Sequence, residues 1–305
     1  MSFRFCNFIQ KLILKEHSIE NEFLKITVQE TGAELCSILN KKNNKEYIWQ
    51  ADPEIWGSHA PNLFPVIGVL KDGEYLFEGK KYKIPKHGFI RHNEDIRLKE
   101  RSEKHLVFEL LYSEETLKIY PFKFDFRIVF TLNGKNLEVN HFVINLDEKP
   151  IYFSLGGHPA FNIQQYENEK IKNYFLKFDQ KMDLDSHVLT ADGLVSSKTV
   201  SILRNENILQ LTDHIFDNDA LIFKNIRSKK VELRSEKNGG ILSVTYKDFK
   251  NLGIWAKPGA PYVCIEPWLG IADLEGNDQN LKNKEGIIKL DMNKEFQAAY
   301  TIEIF

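Results

Sequence analysis

Phe124-Asp125-Phe126-Arg127-Ile128-Val129-Phe130-Thr131-Leu132, then Asn133-Gly134-Lys135-Asn136, then Leu137-Glu138-Val139-Asn140-His141-Phe142-Val143-Ile144 is the stretch whose reading decides the fold. Apolar side chains in its first run fall on alternate positions, the period of a half-buried strand. The Asn-Gly turn between two such runs reads as a β-hairpin, because these residues tolerate the backbone angles of a tight reversal. Working outward, strand-rich runs recur at 23–28, 106–112, 173–178, 220–223, 231–234, 241–246, 252–255 and 297–305. Turn pairs punctuate them: Asp72-Gly73, Glu78-Gly79, Asp192-Gly193, Asn238-Gly239 and Pro258-Gly259. Helical patterns are scarce, with short candidates at 163–168 and 278–283. Short strands joined by tight turns imply an all-β chain, a sandwich or a barrel.

No linker, repeat or low-complexity tract divides the 305 residues. Residues 1–16 are expected to form an N-terminal extension and 17–305 a single domain, since β-sandwiches of this length often form one. The apolar fraction of 42% supports a sizeable core. The Asn/Lys run 41–45 reads as a solvated loop. A formal net charge of −2 argues against a nucleic-acid partner. No apolar run is long enough for a membrane-spanning helix, and the basic N-terminus lacks a cleavage site. Cys6, Cys36 and Cys264 match no zinc pattern and no disulfide framework, so they read as free thiols in a reducing cytoplasm. A cytoplasmic protein, monomer or homodimer, is expected.

Three segments carry candidate chemistry. Gly156-Gly157-His158-Pro159 places a histidine between residues that dictate its backbone direction, as a preorganised catalytic group requires. A histidine satisfied in a tight turn is an equally good account of it. Cys264-Ile265-Glu266-Pro267-Trp268 ends an apolar strand on a lone glutamate, costly to bury unless it is paired or used. Partial burial would raise its pKa towards the working pH and suit a general base. A structural carboxylate accepting backbone N–H bonds competes with that reading. Lys86-His87-Gly88-Phe89 adds a second framed histidine, and Asp219 stands just before a strand, with Asp217 equally eligible. Aromatic residues near these segments include Trp56, Trp255 and Trp268, core candidates of which one or two could underlie a sugar ring. A phosphate-binding Gly-x-Gly-x-x-Gly, a Gly-x-Ser-x-Gly elbow and a His-Glu-x-x-His are all absent. His87, His158 and Glu266 show no short-range metal-ligand pair, which leaves a metal-dependent β-sandwich enzyme as a minor alternative.

In order along the chain, Gly32-Ala33-Glu34-Leu35, Asn62-Leu63-Phe64-Pro65-Val66-Ile67-Gly68, His87-Gly88-Phe89, Gly157-His158-Pro159-Ala160-Phe161-Asn162, Asp219-Ala220-Leu221-Ile222-Phe223 and the segment from Trp255 to Trp268 resemble the aldose 1-epimerase (mutarotase) superfamily, in particular its LacX-like branch. The resemblance covers most of the chain. It implies a large antiparallel β-sandwich with a concave sugar-binding face, and an isomerase that interconverts the α and β anomers of a free sugar without a cofactor or a metal. By position, Glu266 would be the base at the anomeric hydroxyl and His158 the acid at the ring oxygen. His87 and Asp219 would bind the sugar. The typical galactose mutarotase carries an arginine in an Asn-Arg-Ile-like segment, whereas Asn62-Leu63-Phe64 has none; Asn62 or Arg91 would replace that contact. The change leaves open a non-catalytic sugar-binding protein and, with Arg91 and Lys257 as positive charge, a hexose-phosphate epimerase.

Overall fold

The structure, a computed structural model, describes residues 15–163, 166 and 169–305. The deciding hairpin forms as two ten-residue strands, Phe124–Asn133 and Asn136–Asn145. Their register runs from Phe124 opposite Asn145 to Asn133 opposite Asn136, so Gly134 and Lys135 alone make the turn. Phe124, Phe126, Ile128, Phe130 and Leu132 share one buried face, as the period of two requires.

The sheet grows from this hairpin in both directions. On one side lie His105–Leu111 and then Arg97–Arg101. On the other follow Glu295–Ile304, Gly239–Thr245, Lys230–Ser235, Tyr174–Leu189, Leu221–Phe223, Asn251–Trp255, Tyr262–Leu269, Leu155–Gly157 and Asn62–Leu63. Among the described residues this makes a 15-stranded sheet, with Ala160–Asn162 pairing beside Tyr262–Leu269 and Val195–Gln210 beside Tyr174–Leu189. A four-stranded sheet of Glu16–Glu20, Leu24–Gln29, Glu34–Asn40 and Lys45–Glu46 completes the layers. The protein is an all-β antiparallel sandwich, as the sequence led us to expect. Aromatic packing fills its centre: Phe64 stacks on Phe126 at 4.5 Å between centroids and meets Phe124 and Tyr120 edge-on.

Several elements differ from expectation. The strand anticipated at 173–178 continues to Leu189 and pairs with Val195–Gln210, which no alternation had announced. Most side chains of that partner are exposed on both faces, so its sequence carries no period of two. The helix expected at 278–283 is only a single 3-10 turn, Leu281–Asn283, capped by the Asn280 side chain. The helix candidate at 163–168 falls largely outside the described residues. One α-helix, Glu114–Ile119, stands where none was anticipated. Six residues are too few to display a helical period; a capping box closes it instead, Ser113 and Thr116 each accepting the other's backbone N–H. Residues 41–44 form an exposed turn. Cys36 and Cys264 are buried free thiols, and Cys6 lies outside the described residues. No described helix is long and apolar enough to cross a membrane.

Candidate active site

Glu266 sits within the strand Tyr262–Leu269, whose alternate residues Tyr262, Cys264, Glu266 and Trp268 share one face. On one flank Gly253 of Asn251–Trp255 lies opposite Glu266. On the other flank the neighbouring strand is broken in two. Leu155–Gly157 sets Gly156 opposite Trp268, and Ala160–Asn162 sets Ala160 opposite Cys264. His158 occupies the break, at the register position that faces Glu266. Its backbone N–H donates to Pro61 O at 2.9 Å, and Pro159 O accepts from Ile265 N–H at 3.2 Å. The Gly-Gly-His-Pro frame thus interrupts a strand and turns one histidine towards the adjacent carboxylate.

His158 Nε2 lies 3.2 Å from Glu266 Oε2, with 8% and 1% of the two side chains exposed. The approach is oblique: the distance suits an ion pair, but neither Oε2 nor His158 Nδ1 has an aligned hydrogen-bond partner. Trp56 stacks on the His158 ring at 5.1 Å and Trp255 meets it edge-on at 5.9 Å.

His87 arrives from a loop and is locked to Gly68 twice. Its backbone N–H donates to Gly68 O at 2.8 Å, and its ring Nδ1 accepts from Gly68 N–H at 3.1 Å. A ring nitrogen that accepts from an amide carries no proton, so the neutral ring is protonated at Nε2. The ring stands edge-on to His158 at 5.6 Å. His87 has φ +67, and Gly88 after it φ +78, where an added Cβ would lie 2.1 Å from Phe64 O. The loop can therefore hold this tight course only with glycine at 88.

These three residues line one cleft of about 410 Å³, together with Trp56, Lys86, Arg91 and Asp219. Arg91 Nη2 donates to Ser58 Oγ at 2.9 Å and its guanidinium lies 5.8 Å from the Trp56 ring centre, while its Nε is buried without a partner. Asp219, exposed beside the cleft with φ +73, accepts Ala220 N–H on its side chain at 2.7 Å. Asn62 is elsewhere. Its amide donates to Gly32 O and Ala33 O at 3.1 and 2.9 Å, so its oxygen accepts from His141 Nε2 at 2.9 Å. Both its N–H donors and its oxygen are engaged inside the core, and the expectation that it contacts substrate is corrected: Arg91, not Asn62, lines the cleft.

Burial governs the charges. It pushes Glu266 well above the ordinary carboxylate range; Lys86 and Arg91 oppose that rise and Asp219 reinforces it. Burial also lowers His158 to about 3, helped by Arg91. His87 is held well below its ordinary value by burial, with His158, Lys86 and Arg91 adding to it. Opposite shifts on two touching groups leave one proton between them across neutral pH, so His158 and Glu266 titrate as a unit. Such a pair can take a proton from one substrate oxygen and give one to another. Lys86 was not singled out as functional by sequence, since it stands next to His87 without a motif of its own; Trp56 was among the aromatic residues of which one or two could underlie a sugar ring, and it lines the cleft. Cys264 Sγ, His158 and Glu266 also offer donor atoms that all lie within 4.8 Å of one another.

Comparison with known proteins agrees with this architecture. A model of the family described as aldose 1-epimerase matches residues 15–279. The plasmid and chromosomal LacX proteins of Lactococcus lactis subsp. lactis are each 33% identical over 295 residues, covering 94% of this chain and 98% of theirs. The structure of a galactose mutarotase related enzyme from Lactobacillus acidophilus superposes with a TM-score of 0.91 at 35% identity, covering 95% of this chain and 97% of that one. A galactose mutarotase-like protein from Lactobacillus casei gives 0.90 at 30%, covering 95% and 100%. With its sandwich, its cleft and a family match over most of its length, the chain belongs to the aldose 1-epimerase family.

Proposed function

We propose that the protein is an aldose 1-epimerase that interconverts the α and β anomers of a sugar, with Glu266 as base and His158 as acid. The observation that carries the reading is the 3.2 Å between His158 Nε2 and Glu266 Oε2. In a cyclic sugar the anomeric hydroxyl and the ring oxygen are bonded to the same carbon. An acid and a base serving both must therefore stand a few ångströms apart, as these two do. With the proton that the pair shares placed on His158, Glu266 removes the anomeric hydroxyl proton and His158 protonates the ring oxygen. The C1–ring oxygen bond breaks, the aldehyde forms, the C1–C2 bond rotates, and the reverse transfers close the other face. Each proton returns, so the pair ends as it began.

His87 directs its protonated Nε2 to a substrate oxygen, because Gly68 occupies Nδ1. Arg91 takes the hydroxyl contact that the missing upstream arginine would have made, and Asp219 accepts from a hydroxyl at the entrance. The Trp56 and Trp255 rings that frame His158 exclude water from the transfer.

The test is anomer equilibration of a panel of free sugars, followed by polarimetry or NMR exchange. Glu266→Gln and His158→Asn should each slow it by roughly a hundredfold or more, the usual contribution of a general acid or base. An undiminished rate in either variant would remove the assignment.

A further inference from the structure

We propose that His158, Cys264 and Glu266 form a binding site for a zinc ion, and that the bound ion closes the cleft to sugar. The closure rests on the proposed function; the site itself does not. An imidazole nitrogen, a sulfur and a carboxylate oxygen, all within 4.8 Å of one another, are the mixed donor set that zinc accepts. Ligand atoms of a tetrahedral zinc stand about 3.3–3.8 Å apart given bonds of about 2.0–2.3 Å, so rotamer adjustments of an ångström or less complete the triad. Cys264 and Glu266 alternate on one strand face, and the register fixes His158 across from them. Three protein donors leave a fourth position, which His158 and Glu266 turn towards the cleft for a water molecule.

The local chemistry favours occupation. Glu266 Oε2 is buried without an aligned partner, a cost that a cation removes. Burial keeps His158 neutral and so keeps a ring lone pair available. It also pushes the Cys264 thiol and the Glu266 carboxyl well above their ordinary values. Binding is then an exchange: the ion enters, the thiol and the carboxyl each release one proton to solvent, and two anionic donors balance two positive charges. Arg91 and Lys86 oppose the ion electrostatically, while Asp219 favours it. Because the metal uses the acid and the base together, sugar and zinc exclude each other.

Cobalt(II) is the spectroscopic probe, added to the purified full-length chain after chelator treatment. The expected result is a thiolate-to-cobalt charge-transfer band that zinc abolishes and that Cys264→Ala lacks. Cys264→Ser serves as a second variant should alanine pack poorly at this buried position. No band, or a band that survives in a folded Cys264 variant, overturns the site. In the exchange assay zinc should raise the apparent KM for sugar, and the zinc concentration that halves the rate should rise at least about tenfold in Cys264→Ala, since loss of even an outer-shell partner costs about that much. Zinc that binds through Cys264 yet leaves exchange unaffected overturns the closure. Cobalt binding by a chain that shows no metal-free exchange on any sugar upholds the site and counts against the proposed function instead.

Discussion

At the scale of single residues, hydrogen-bond capacity separates Asn62 from Arg91. Asn62 is 2% exposed and joins the Gly32-Ala33 turn to His141, a fully buried ring whose burial lowers its pKa to about 4. Asn62→Ala strands two carbonyls and one ring N–H in a dry core. Each unsatisfied buried group costs about 1–3 kcal/mol, so urea unfolding should show a loss of at least about 2 kcal/mol. Sugar KM should stay within about twofold, because the side chain does not face the cleft. Arg91→Ala should do the reverse, weakening sugar binding with little change in the unfolding midpoint, since its one side-chain hydrogen bond goes to Ser58. A large KM effect from Asn62→Ala with unchanged stability would contradict this division.

At the scale of elements, the His87 loop depends on close backbone approach. Gly88 and Gly79 both have φ +78, but a Cβ at Gly88 would lie 2.1 Å from Phe64 O, whereas nothing lies within 4 Å of one at Gly79. Gly79→Ala should therefore cost only the strain of a left-handed alanine, about 1–2 kcal/mol. Gly88→Ala must also displace Phe64, whose carbonyl accepts Phe89 and Ile90 N–H. It should be the more damaging by at least about 2 kcal/mol in thermal or denaturant unfolding, within the range of overpacked sites. Equal effects would show that the loop can shift freely. The elements themselves were legible where side chains alternate, as in Phe124–Asn133, and where Gly and Pro frame a residue, as at His158. Val195–Gln210 was not legible, because two solvated faces impose no pattern. The meeting of His158 with Glu266 was legible through the family resemblance alone, not from either segment. It follows from the register of two strand fragments against Tyr262–Leu269, and pairing partners far apart in sequence leave no mark in either segment.

At the scale of the whole molecule, buried titratable groups shape stability against pH from both sides. His141 and His158, lowered to about 4 and about 3, take up protons on unfolding once the pH falls below about 6.5. The unfolded chain then binds more protons, and stability falls with pH on the acid side. Glu34 works in the opposite sense. It is 4% exposed, accepts His59 and Ala60 N–H at 2.6 and 2.9 Å, and thereby ties the four-stranded sheet to the segment leading to the cleft. Burial raises it to about 7 against those hydrogen bonds and the pull of Arg91. Between pH 4.5 and 7 the folded chain holds a proton that the unfolded chain has released, so the Glu34 contribution is lost as pH rises through that window. A shift from 4.5 to about 7 corresponds to about 3 kcal/mol. Glu34→Gln keeps an oxygen for both backbone donors and cannot ionise. Its stability should gain on the wild type by about 3 kcal/mol from pH 4.5 to 7, and the two curves should run parallel below pH 4, where Glu34 is protonated in the folded and the unfolded chain alike. Urea midpoints measured across that range decide it. A gap between the two proteins that stays constant with pH would mean that Glu34 is ionised in the fold at all these values, held by its backbone donors against the cost of burial.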